Sequence, residues 1–136
     1  MRRRAVLAAV VGCGLLYAIA GWSQQPAEKT KRSHDPNVLE PLAIMIRPEG
    51  IIPKSLQLPY GLYAVAVFNR SGIQEPTLEL DRVSAKSADA AVLERSASGA
   101  AKKHTARWIQ NVDLKKGIYR LRVAERPSWY CLLEVQ

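Results

Sequence analysis

The chain has 136 residues, 48% of them hydrophobic and 24% charged, an ordinary globular composition that excludes wholesale disorder. Two cysteines exclude a disulfide framework and a four-thiolate zinc site, and the length leaves room for one core, not two. Twenty basic residues against twelve acidic ones give +8, but three of those positives are Arg2, Arg3 and Arg4.

Residues 1–22 read as a signal peptide or membrane anchor. After the three arginines, Ala5 to Trp22 forms an uncharged, weakly apolar run of 18 residues. A cationic start keeps its end cytoplasmic while the apolar stretch enters the bilayer. Three fates stay open. Ala18-Ile19-Ala20 is a small-x-small site for cleavage after Ala20, the run is just long enough to span as a retained anchor, and Val10-Val11-Gly12-Cys13 is a lipoprotein-type box that would acylate Cys13. Arg3-Arg4 also has a faint twin-arginine character. Every fate places the remainder outside the cytoplasm, on the outer face of the membrane or in the periplasm. Cleavage after Ala20 would leave a charge of +5 (17 basic against 12 acidic residues) and Cys131 as the one cysteine.

Residues 23–41 read as a flexible linker: Pro26, Pro36 and Pro41, a Ser-Gln-Gln cluster and mixed charges, with no apolar period. Such a stretch buries too little surface to offset its ordering entropy, and His34 within it reads as solvated.

From residue 42 to 136 short apolar runs alternate with turn residues, the pattern of an all-β Greek-key sandwich of seven or eight strands, cupredoxin-like or immunoglobulin-like. The expected strands are Leu42–Arg47, Ser55–Leu58, Leu62–Asn69, Thr77–Val83, Ala91–Arg95, Ala106–Val112, Ile118–Ala124 and Trp129–Val135. Between them fall Pro48-Glu49-Gly50, Pro53, Pro59-Tyr60-Gly61, Ser71-Gly72, Pro76, Lys116-Gly117 and Pro127. Ser84–Ala101 is ambiguous, because its alanines would also suit a short helix.

One pattern occurs twice. Leu58-Pro59-Tyr60-Gly61-Leu62-Tyr63-Ala64-Val65-Ala66-Val67 and Leu114-Lys115-Lys116-Gly117-Ile118-Tyr119-Arg120-Leu121-Arg122-Val123 both read Leu-x-x-Gly-x-Tyr-x-apolar-x-Val. A glycine that tolerates φ > 0 turns the chain straight into a strand. The tyrosine ring then faces inward and its hydroxyl reaches back to the preceding backbone, a tyrosine corner. The other faces of the two strands differ. Leu62, Ala64, Ala66 and Phe68 are apolar, which predicts a central strand covered on both sides, whereas Arg120 and Arg122 are expected to face water.

The segment from Ile52 to Asn69, with its proline-anchored strand, glycine turn and apolar strand ending in asparagine, resembles the N-terminal half of cupredoxin-like domains. Gly117 through Cys131 resembles their last hairpin. The resemblance implies a Greek-key sandwich over roughly residues 42–135, but one that departs from the copper ligand set of two imidazoles, a thiolate and a weak axial methionine. Five residues, none of them His or Met, follow Cys131; His104 stands between Lys103 and Thr105, next to Lys102; and Met45 lies in a strand expected to be core. Cys131 itself reads as a packed, inert thiol.

No nucleophile elbow, phosphate loop or metal-spaced cluster is present, and Ser71 sits in an expected turn, so no enzyme is expected and no cofactor is implied. Trp108 and Trp129 read as core. Between Lys102 and Arg126 eight basic residues face two acids. Among them Arg107, Lys115, Lys116, Arg120 and Arg122 form the expected face for an anionic partner, whether envelope protein, wall polymer or lipid headgroup, with nucleic acid disfavoured by export. The leading expectation is a non-catalytic, exported or membrane-tethered interaction module. The alternative is a redox or metal-binding protein that uses Cys131 and His104.

Overall fold

The computed structural model describes residues 34–103 and 105–136. The export segment, most of the expected linker, and His104 lie outside the described residues. Among those described, no helix is long and apolar enough to cross a membrane.

The described chain is all β. Its strands are β1 (Glu40–Arg47), β2 (Gly50–Ile52), β3 (Ser55–Leu58), β4 (Gly61–Asn69), β5 (Thr77–Val83), β6 (Val92–Ala100), β7 (Arg107–Leu114), β8 (Gly117–Val123) and β9 (Arg126–Val135). They form two sheets, ordered β2-β1-β4-β7 and β3-β9-β8-β5-β6. Two pairings are parallel, β1 with β4 and β3 with β9. Because β1 and β3 lie beside strands remote in sequence, neither sheet is a simple meander.

Strict alternation builds the core. Leu42, Ile44 and Ile46 of β1, Val65 and Val67 of β4, and Val112 and Leu114 of β7 point inward from the first sheet. Leu78, Leu80, Leu121, Val123, Cys131, Leu133 and Val135 meet them from the second. β-branched and leucine side chains at a period of two suit a half-buried pleated surface. Trp108 is buried as expected, over Gly99, where an added Cβ would meet the indole Nε1 at 2.6 Å. Trp129 is partly buried at the core margin, with Arg126 stacked 4.8 Å over its ring.

Four expectations change. The strands number nine rather than seven or eight, because Gly50–Ile52, read as part of a turn, doubles back as a short hairpin partner of β1. The ambiguous Ser84–Ala101 segment holds no helix: Val92–Ala100 is a strand, longer than expected, paired with β5 through two register shifts. Its alanines and serines are tolerated because it is an edge strand with its first five residues exposed. Pro127 does not break β9: it is the second residue of that strand and lies in the register shift between the Val123–Arg126 and Arg122–Tyr130 pairs, where it has no ladder partner to satisfy. Finally, β1 starts at Glu40, inside the segment expected to be flexible.

Candidate functional site

Both tyrosine corners form. Tyr63 and Tyr119 are buried, one in each sheet. The Tyr63 hydroxyl donates to the Pro59 carbonyl at 2.8 Å, while the Tyr119 hydroxyl accepts the Lys115 N–H at 3.0 Å. Burial pushes the Tyr63 phenol up from its ordinary value, aided by the nearby Glu40 carboxylate.

The expected basic face does not assemble as one surface. Arg107 is exposed on β7 of the first sheet, Lys115 and Lys116 are at the β7–β8 turn, and Arg120 and Arg122 are on β8 of the second sheet. Arg120 is 3% exposed rather than facing water, because the chain between β5 and β6 folds across it and presents the Ala88 and Ala90 carbonyls to its Nη1. Arg122 is half-buried, and its Nε lies 2.7 Å from Glu79 Oε2. Arg95 Nη1 takes Glu79 Oε1 and its Nε takes the fully buried Asp81 carboxylate, both at 2.9 Å. The sequence reading missed this network. Its signal was the run Glu79-Leu80-Asp81, which places two acids on the face opposite Leu78 and Leu80 and directly across from Arg122 and Arg120.

His34 is held rather than solvated. Its Nδ1 lies 2.9 Å from Glu40 Oε1 and its Nε2 2.6 Å from the Tyr60 carbonyl. Both partners are acceptors, so the doubly protonated ring satisfies both contacts. The imidazole is accordingly raised from 6.5, first by the Tyr60 carbonyl and then by Glu40. The approach depends on Gly61 at φ +153, where a Cβ would meet His34 Nε2 and Pro36 Cα at 3.1 Å.

The outer face of the first sheet is apolar and open. β4 is central as expected, between β1 and β7, but its second side is not covered by the described residues. Leu62 and Phe68 are exposed there. Register places Ala43 beside Ala66 and Met45 beside both Phe68 and Ile52, and Ala66 beside Ile109, which is 53% exposed. Met45 lies in a core strand as expected, but its own side chain is on this outer face, with its Sδ 3.4 Å from Arg47 Nε. Arg107 opposite Phe68 and Asp113 opposite Leu62 mark the two ends of β7, and neither forms an ion pair among the described residues.

Cys131 is fully buried. Desolvation pushes its thiol up to about 12, against a small opposing pull from Lys54, and its sulfur contacts no polar group closer than the Leu132 carbonyl at 3.9 Å. Ser71 lies in the expected turn, its hydroxyl donating to Asn69 Oδ1 at 2.7 Å and accepting the Ile73 N–H at 3.1 Å.

No family model matches the sequence, and no curated protein matches it. The fold does have relatives. A dithionite-reduced auracyanin from Roseiflexus castenholzii superposes with a TM-score of 0.54 at 10% identity, covering 71% of this chain and 96% of that one. Auracyanin A, a "blue" copper protein from Chloroflexus aurantiacus, gives 0.54 at 10% identity over 73% and 100%. Auracyanin B gives 0.52 at 14% identity over 76% and 92%. The fold is therefore cupredoxin-like.

The described donors do not fit a cupredoxin copper site. Such a site needs a thiolate, two imidazoles and a weak axial ligand converging on one point. Cys131 is a buried thiol held protonated, in the middle of the last strand of the second sheet. Met45 faces outward from the opposite sheet. His34 sits where the Tyr60 N–H meets the Gln136 carbonyl, five residues along β9 from Cys131 or about 16 Å at 3.3 Å per residue. Among the described residues no three His, Cys, Asp or Glu side chains gather as metal ligands.

Proposed function

We propose that this chain is an exported, non-catalytic module that works by assembly, packing the outer face of its first sheet against a second copy of itself. One observation carries the reading: β4 has the composition of a strand covered on both sides, yet Leu62, Phe68 and the neighbouring Ile109 lie open. A continuous exposed apolar patch marks an interaction surface. Export is supported by the arginine-led apolar run at residues 2–22.

The occupant follows from charge. A twofold axis lying between two such faces, perpendicular to the strands, superposes β7 on β7 in opposite directions. Arg107 of each copy then faces Asp113 of the other, and Phe68 faces Leu62. Three strands of seven residues, about 4.8 Å apart with about 3.3 Å per residue, and the three-residue β2 beside them give a footprint of roughly 380 Å². That is about half of the ~800 Å² per partner in a standard interface, so a weak, concentration-dependent dimer is expected.

Sedimentation equilibrium of the purified protein tests this. A monomer–dimer equilibrium below millimolar concentration, abolished by Phe68→Lys with the β-sheet circular dichroism unchanged, is the expected result. A monomer up to millimolar concentration, or a dimer indifferent to Phe68→Lys, would overturn it.

A further inference from the structure

The segment 84–91 crosses the outer face of the second sheet and covers Arg120. The guanidinium is fixed by Nη1, which donates to the Ala88 and Ala90 carbonyls. That leaves the opposite edge, Nε with Nη2, and Nε is buried without any hydrogen-bond partner. No carboxylate pairs with Arg120 among the described residues: Glu79 is shared by Arg95 and Arg122, and Asp81 is taken by Arg95. Three guanidiniums thus meet two carboxylates, and the unmatched positive charge is the buried one. A buried charge without a counter-ion is unfavourable, and an unpaired buried N–H adds to that cost.

Arg120 also lines a cavity of about 450 Å³, together with Arg122, Ser128 and the Ala88-Asp89-Ala90 loop. That volume falls within the range of small-molecule sites. We propose that this cavity binds a small ligand through one oxyanion group, a carboxylate or a phosphate. The Nε–Nη2 edge of Arg120 takes the oxyanion side-on, in the forked geometry that guanidinium offers such groups. Arg122, whose Nε is committed to Glu79, adds its remaining donors, and Ser128 belongs to the same lining. Asp89 on the same lining disfavours polyanions and selects a ligand with a hydroxyl or ammonium group beside its single oxyanion. The site lies on the second sheet, away from the assembly face, so it stands or falls separately.

The test is titration of the full-length protein with inorganic phosphate and, separately, acetate, at ionic strength held constant with sodium chloride. Backbone amide shifts and thermal midpoint are followed together. Saturable binding at about 0.1–10 mM is expected, with a rising midpoint and shifts confined to Ala88–Ala90, Arg120, Arg122 and Ser128. Saturation by phosphate alone assigns a phosphoryl ligand, by acetate alone a carboxylate, and by both the shared oxyanion chemistry. Arg122→Gln is expected to weaken binding at least tenfold. Arg120→Lys, which keeps the charge and loses the fork, is expected to do the same; should that variant not fold, Arg122→Gln decides. Failure of both anions to saturate, shifts centred elsewhere, or unchanged affinity in Arg122→Gln would overturn the proposal.

Discussion

Tyr63 and Tyr119 make the same four-residue reach with opposite hydrogen-bond roles. The first hydroxyl donates to the Pro59 carbonyl and the second accepts the Lys115 N–H, and the two rings are buried from opposing sheets. Each corner ties a turn to the strand that follows it. Tyr63→Phe and Tyr119→Phe should each lower unfolding free energy by about 0.5–1.5 kcal/mol in urea titrations. The double variant should lose about the sum, since the two hydroxyls share no partner.

The corners also show how much of the fold is legible in the sequence. The repeat carries its own geometry, because a turn glycine, an inward tyrosine and two inward residues at a period of two fix which side of the strand is core. Ser55–Leu58 and Thr77–Val83 are bounded by prolines and small polar turn residues, and the structure keeps those limits. β2 escapes because its three residues, Gly50–Ile52, begin on the turn glycine and are too few to show any period. The outward arginines mislead for a different reason. Alternation tells which face of β8 Arg120 occupies, but not that a segment thirty residues earlier in the chain will lie over that face and bury it. The apolar outer side of β4 is legible as composition, while its lack of a cover among the described residues is a property of topology.

Cys131 gives a pH signature. Its thiol is raised from 9.0 to about 12 in the folded protein, so the folded state holds its proton where the unfolded chain releases it. The resulting stability is complete below pH 9 and is lost as pH rises toward 12, at up to about 1.4 kcal/mol per pH unit. Cys131→Ala should flatten that part of the stability–pH curve relative to wild type. In the native state the wild-type thiol should resist disulfide reagents and react on denaturation. Added copper should produce no intense thiolate-to-copper absorption; such a band would contradict the misfit of the described donors.

His34 should couple its segment to pH in the neutral range. Its folded value lies above 6.5 because both ring nitrogens face acceptors. The clasp therefore contributes fully below pH 6.5 and is lost as pH rises through the folded value. Proton-detected titration of the His34 ring should place its midpoint above 6.5. His34→Ala should lower the thermal midpoint more at pH 5 than at pH 9. An equal effect at both would mean that the ring's charge plays no part.

Charge reversal across the proposed pair tests the assembly geometry most directly. Arg107→Asp and Asp113→Arg are each predicted to abolish the dimer in sedimentation equilibrium, since either one sets like charges against each other, and the double exchange Arg107→Asp/Asp113→Arg is predicted to restore it. Dimerisation that survives the single variants, or that the double exchange fails to recover, would contradict the antiparallel stacking of two open sheet faces.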